Sequence, residues 1–181
     1  MYCPRCLQRI HRGANDCPHC DFSLPVLLAE LDDAQLVGPC LSDSAGALKA
    51  KERRALNHLL ERFRYQFPQV SVAVHFETLP FETDLRERAF FLQNGYQCSG
   101  SDVPVEQSLT VLLDMEKKEI TMCYGYAFEE MLSEQMTFDL LVKTHPYLLQ
   151  SQYLRAIKVL LVAVAKVLRR SGKRIWRSSN D

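Results

Sequence analysis

The chain has 181 residues, about one domain's worth, and 47% of them are hydrophobic, enough to bury a core and to argue against disorder throughout. Lysine plus arginine equals aspartate plus glutamate at 22 each, so no net field draws the whole molecule to nucleic acid or to an anionic membrane. The start MYCPRCLQRIH has no apolar leader core, and AIKVLLVAVAKVL is too short and lysine-containing to span a bilayer; the expectation is a cytoplasmic protein.

Residues 1–22 are rich in Cys, Pro, Arg and His and hold too little aliphatic material to fold by burial alone. CPRC, ten intervening residues and CPHC form two chelating pairs, Cys3 with Cys6 and Cys17 with Cys20. A two-residue gap lets both thiolates of a pair reach one tetrahedral ion at about 2.3 Å. The spacing predicts a small zinc ribbon whose metal supplies on the order of 10 kcal/mol of folding free energy. Four protein ligands leave no open position for activating water, so this zinc is expected to be structural. His11 and His19 are left out of the ligand set, because each would have to displace a cysteine already placed by its own pair. Arg5, Arg9 and Arg12 give the ribbon a basic skin, read as a solubility feature rather than a nucleic-acid surface.

Residues 23–36 read as a linker, in which Leu27, Leu28 and Leu31 could make one apolar turn, with Pro25 and Pro39 breaking any long helix. A second domain is expected over 37–171. KAKERRALNHLLERFRYQF carries Leu56, Leu59, Leu60 and Phe63 at helical spacing, with Pro68 just past its end. VSVAVHF alternates Val70, Val72, Val74 and Phe76 against Ser71, Ala73 and His75, which predicts a strand with one markedly apolar face. A short helix is expected at about 82–94. SLTVLLD and EITMCYGY follow as strands of a hairpin joined by MEKK, and two helices close the domain. The last carries the stripe Leu154, Ile157, Leu161, Val164 and Leu168, with Arg169 and Arg170 where the helix dipole favours cations. Residues 172–181 read as a basic tail around Trp176. Cys40, Cys98 and Cys123 are scattered and read as small hydrophobes; His58 and His75 read as satisfied, partly buried imidazoles.

LSDSAGALKAKERRALNHLLERF, VSVAVHF and LTVLLDMEKKEITMCYGYAFEEMLSE, in that order, resemble the TPM domain family, named from thylakoid phosphatase-like proteins. Asp43, Gly46 and Leu48, then Glu52, match the family's opening; Gly125, Tyr126, Ala127 and Glu129 stand where it has glycine-tyrosine-glycine and an acidic residue. HPYLLQSQYLRAIKVLLVAVAKVL echoes its closing helices. The resemblance implies an α/β/α sandwich around a small mixed sheet, an α/β fold. Some members are linked to calcium or magnesium binding and to acid phosphatase activity, others to membrane-protein maintenance. The chain departs from the pattern where Glu106, Gln107 and Ser108 replace Asp-Asn-Gly and where Ala127 replaces the second glycine.

Asp43, Glu106, Glu129 and Glu134 occupy the family-like acidic positions and are the candidates for a second, divalent-ion site taking Ca or Mg. The bland alternative for each is a helix cap or a solvated carboxylate. No GxSxG elbow, phosphate-binding glycine loop or HExxH is present, and no complete set of nucleophile, metal and cation for phosphoryl transfer can be assembled. The expectation is a non-catalytic adaptor that binds a protein partner, with no assigned catalytic residue. The rival is a divalent-metal-dependent acid phosphatase acting on phosphomonoesters.

Overall fold

In a computed structural model of the chain the described residues are 3–6, 8–11, 14–23, 25–26, 29 and 36–178, those after 170 by backbone alone. The expected apolar turn at Leu27, Leu28 and Leu31, and the side chain of Trp176, lie outside them.

Helix α1 (Ala50–Gln66) starts where the Glu52 carboxylate accepts from the Lys49 N–H at 3.0 Å, and ends one residue before Phe67-Pro68. Its stripe Leu56, Leu60 and Phe63 is buried, with Leu59 at the margin. Helix α2 (Leu85–Gly95) is capped by Asp84, which accepts from the N–H groups of Arg86 and Glu87 at 2.9 Å each. Strands β1 (Leu36–Gly38) and β4 (Tyr96–Cys98) form a two-stranded parallel sheet. The main sheet has the order β2 (Leu41–Asp43), β3 (Ser71–Glu77), β5 (Ser108–Asp114), β6 (Glu119–Tyr124); the first three are parallel and β6 is antiparallel, so the sheet is mixed as expected. MEKK is the hairpin loop, held by Asp114 Oδ1 accepting from Glu116 N at 3.0 Å, with Lys118 in the left-handed region at φ 54°.

The sheet has helices on both faces. Val72, Val74, Phe76, Leu109, Val111, Leu113 and Met122 point into one core shared with α1 and with α5 (Tyr153–Ser178), whose Ile157, Leu160, Leu161, Val164 and Leu168 are buried. Leu112 points the other way, into a second core with Ala89, Phe91 and Leu92 of α2. The strand β3 therefore differs from its expected single apolar face: residues 72–76 are all buried, because period-2 alternation assumes one wet face and here helices cover both.

Three helices, not two, close the chain. Between α3 (Glu134–Val142) and α5 the segment His145–Leu149 makes a separate turn and a half, α4. Pro146 sits at its start, and the buried Thr144 hydroxyl donates to the Leu141 carbonyl at 2.6 Å, ending α3 there. The backbone of α5 continues helically to Ser178, through most of the stretch read as a separate tail.

Candidate metal centre and the acidic positions

The four cysteines of the two CPxC turns come together. Cys3 Sγ lies 3.6 Å from Cys20 Sγ and Cys6 Sγ 3.6 Å from Cys17 Sγ, and all four sulfurs fall within 4.8 Å of one another. A tetrahedral ion with sulfurs at about 2.3 Å spaces them at about 3.8 Å, so the cage is compatible with zinc and uses every coordination position. The two turns are made alike. Cys3 N–H donates to Gln8 O at 2.9 Å and Cys17 N–H to Phe22 O at 2.8 Å, while Asp21, at φ 54°, turns the second back toward an antiparallel bridge between Asp16 and Ser23.

Burial pushes the thiols of Cys3, Cys17 and Cys20 up. At Cys17 hydrogen bonds from the His19 backbone, the Cys6 thiol and Cys20 outweigh burial and bring it down to about 7, whereas Cys20 is pushed up to about 12. The turns thus aim N–H groups at sulfur, which favours thiolate, the form that binds metal. His11 and His19 are exposed and outside the cluster.

The ribbon is seated on α2. Cys3, Ile10, Cys17 and Phe22 are buried in the same core as Ala89, Phe91 and Leu92, and Phe22 meets Phe90 edge to face at 5.7 Å. Arg5, read as part of a basic skin, pairs with Glu87 of α2 at 2.8 Å and stacks over Phe22 at 5.2 Å. Helix α2 is thus enclosed between the sheet and the ribbon. This explains why its sequence, LRERAFFLQNG, carries buried residues on more than one side.

The acidic positions are distributed differently. Asp43 stands at the carboxyl end of β2; by strand register it is level with Phe76 and Leu113, five residues from the Ser108 end of β5, or about 16 Å. Its carboxylate is fully enclosed and taken up: Oδ1 accepts from Ala47 N at 2.8 Å, Oδ2 from Leu48 N at 3.1 Å and from Arg53 Nη2 at 2.7 Å. Gly46, at φ 65°, makes the turn that brings those N–H groups round. Glu106 lies at the opposite end, in a 3₁₀ turn (Val105–Gln107), and is exposed. Gly125 packs against the Val105 carbonyl and Glu106 carbonyl so closely that any Cβ would collide with them, and its N–H donates to Ser108 O at 3.0 Å. Ala127 is exposed, in a 3₁₀ turn (Tyr126–Phe128) at negative φ, so that position needs no glycine for its backbone. Glu129 follows the turn, and Glu134 opens α3 behind the Ser133 cap; both raise the Tyr124 phenol, though burial raises it more.

Glu106, Glu129 and Glu134 thus share one end of the sheet, and Asp43 occupies the other. Among the described residues the four thiols are the group of three or more such donors close enough to hold a metal. The reading of His75 as a satisfied imidazole is corrected. It is 1% exposed, its Nε2 has no hydrogen-bond partner, and it lies edge-on to Tyr96 at 4.6 Å; burial lowers its pKa to about 4, so it is neutral.

No helix among the described residues is long and apolar enough to cross a membrane. No curated protein matches the chain. Two structures determined by NMR in solution share the fold. One is the N-terminal domain of a protein from P. gingivalis, at 18% identity, TM-score 0.57, covering 79% of this chain and 88% of that one. The other is the N-terminal domain of a Corynebacterium glutamicum protein, at 14% identity, TM-score 0.53, covering 71% and 78%. The TPM domain profile matches residues 41–167, which takes in every strand of the main sheet and the helices α1 to α4, and the chain belongs to the TPM domain family.

Proposed function

We propose that the protein is a cytoplasmic, non-catalytic binding module: a structural zinc ribbon (1–22) and linker (23–36), joined to a TPM domain (37–171) that engages a protein partner. The single observation that carries this reading is the separation of Asp43 from Glu106, Glu129 and Glu134 by the length of the sheet, with the Asp43 carboxylate already held by two N–H groups and Arg53. A divalent-metal-dependent phosphomonoesterase needs gathered oxygen ligands to hold its ion and activate water. A thiol cage with four protein ligands is closed to that chemistry and serves folding instead. Protein binding is supported by α3, which exposes Phe138 and Val142 one helical turn apart, at 61% and 51%, with Leu149 of α4 also 57% exposed.

The test is hydrolysis of a panel of phosphomonoesters with Ca²⁺, Mg²⁺ and Mn²⁺ supplied in turn, alongside calorimetry with each ion. No turnover above buffer and no heat beyond ion dilution are expected. Turnover that disappears in both Asp43→Asn and Glu129→Gln would establish the phosphatase reading in its place.

A further inference from the structure

Three cysteines stand outside the ribbon, and two of them meet. Cys40 and Cys98 are 58 positions apart in the chain, yet strand pairing sets Cys98 level with Gly38, two residues before Cys40, and each thiol acts on the other's titration. The contact is made by backbone placement at the joint between the two sheets. Gly38, the last residue of β1, accepts from Ser99 N at 2.7 Å beside Cys98. Two residues on, Cys40 accepts from Val74 N at 2.8 Å as the chain enters the main sheet. These two backbone hydrogen bonds fix both cysteines at the same joint.

The two thiols have unlike surroundings. Cys98 is 5% exposed, with its sulfur 3.8 Å from the Val72 carbonyl. Cys40 is half-buried and lines a cleft of about 210 Å³ together with Leu60, Arg64, Val70 and Ser101. Arg64 is fixed there by donating to Gly100 O at 2.8 Å. One thiol therefore opens onto solvent beside a cation, and the other waits behind it out of reach.

We propose that Cys40 and Cys98 are a modification site, at which a small hydroperoxide oxidises Cys40 and Cys98 then closes a disulfide. The hydrogen bond from Cys98 and, more weakly, the Arg64 charge lower the Cys40 thiol to about 7 against the opposing effect of burial, while Cys98 is raised by Cys40 and by burial. Cys40 is therefore the nucleophile, and Cys98 holds its proton. In the first step the Cys40 thiolate attacks the terminal peroxide oxygen; an S–O bond forms, the O–O bond breaks, and the hydroxide that leaves (alkoxide, from an alkyl hydroperoxide) takes up from solvent the proton that the Cys40 thiol released. In the second, Cys98 sulfur attacks the Cys40 sulfenic acid; the S–S bond forms, the S–O bond breaks, and the departing hydroxide takes the Cys98 proton as water. Two electrons pass from the two sulfurs to the peroxide. Thiolates of the ribbon that hold a metal have their lone pairs engaged and are expected to react later.

The experiment uses the full chain loaded with zinc, treated with stoichiometric hydrogen peroxide, alkylated and digested without reductant. A cross-linked peptide pair containing Cys40 and Cys98 is expected, together with retained zinc. In the untreated protein Cys40 should alkylate faster than Cys98 by on the order of tenfold or more. In Cys98→Ser the reaction should stall at a Cys40 sulfenic acid captured by dimedone; in Cys40→Ser the Cys98 thiol should stay unmodified. Finding both thiols still alkylatable after the ribbon cysteines have oxidised would overturn the proposal, as would equal alkylation rates. The peptide map of the unaltered chain decides the matter even if a variant does not fold.

Discussion

The ribbon and the carboxylate positions show two ways in which a donor set can be written into a chain, and only one of them assembles. Each pair of thiols is delivered by a single four-residue turn, so once Cys3 and Cys17 are adjacent the other two are in place. The four carboxylates come from four separate elements, and strand register sends Asp43 to one end of the sheet and the other three to the opposite end. Local spacing survives folding; membership of a motif does not guarantee convergence.

The largest test of this contrast is removal of the metal proposed for the thiols. Chelation, or Cys17→Ser, should release metal and forfeit up to on the order of 10 kcal/mol from the ribbon. Because the ribbon covers Phe90 and Phe91, hydrogen exchange should also quicken in α2. Unchanged exchange in both segments would mean that burial, not sulfur coordination, holds the ribbon.

A second effect comes from the layer beneath α2. The folded pKa of His75 is depressed to about 4, whereas the unfolded imidazole takes up a proton near 6.5. Stability from keeping it neutral is therefore intact above 6.5, falls as pH drops toward 4 and levels off below, a loss of about 3 kcal/mol. Denaturant titrations of the unaltered chain and His75→Phe across that window should show the extra slope in the former alone.

Next in size is Asp43→Asn. Loss of the charged cap and of the Arg53 pair should cost about 1 to 3 kcal/mol with or without divalent ions, measured by urea denaturation. A loss seen only with calcium or magnesium present would return Asp43 to a metal site. The smallest effect is expected from Arg5→Ala: its pair with Glu87 is 43% and 22% exposed, so the loss should stay within about 1 kcal/mol and shrink with salt.

What could be read beforehand follows the range of the forces involved. The thiol pairs, the stripes of α1 and α5 and the hairpin at MEKK each rest on residues within a few turns of one another. Strands β1, β2 and β4, at three residues each, are too short to display alternation and exist because neighbours pair with them. The seat of the ribbon on α2 and the meeting of Cys40 with Cys98 depend on contacts between distant segments. Nothing local in the chain marks those two cysteines as neighbours, so from sequence each reads as a separate small hydrophobe. The same holds for Asp43, whose pairing with Arg53 is local but whose distance from Glu106 is set by sheet register alone.

The placement of the ribbon also sets an order of events during synthesis. A nascent chain displays its four thiols some 65 residues before Leu85 opens the helix that receives them. Metal capture is a local reaction and docking is a distant one, so a ribbon that took its metal early would wait with Ile10 and Phe22 unsheltered until α2 is made and laid on the sheet. The first part of this protein able to fold would then be among the last to be put away.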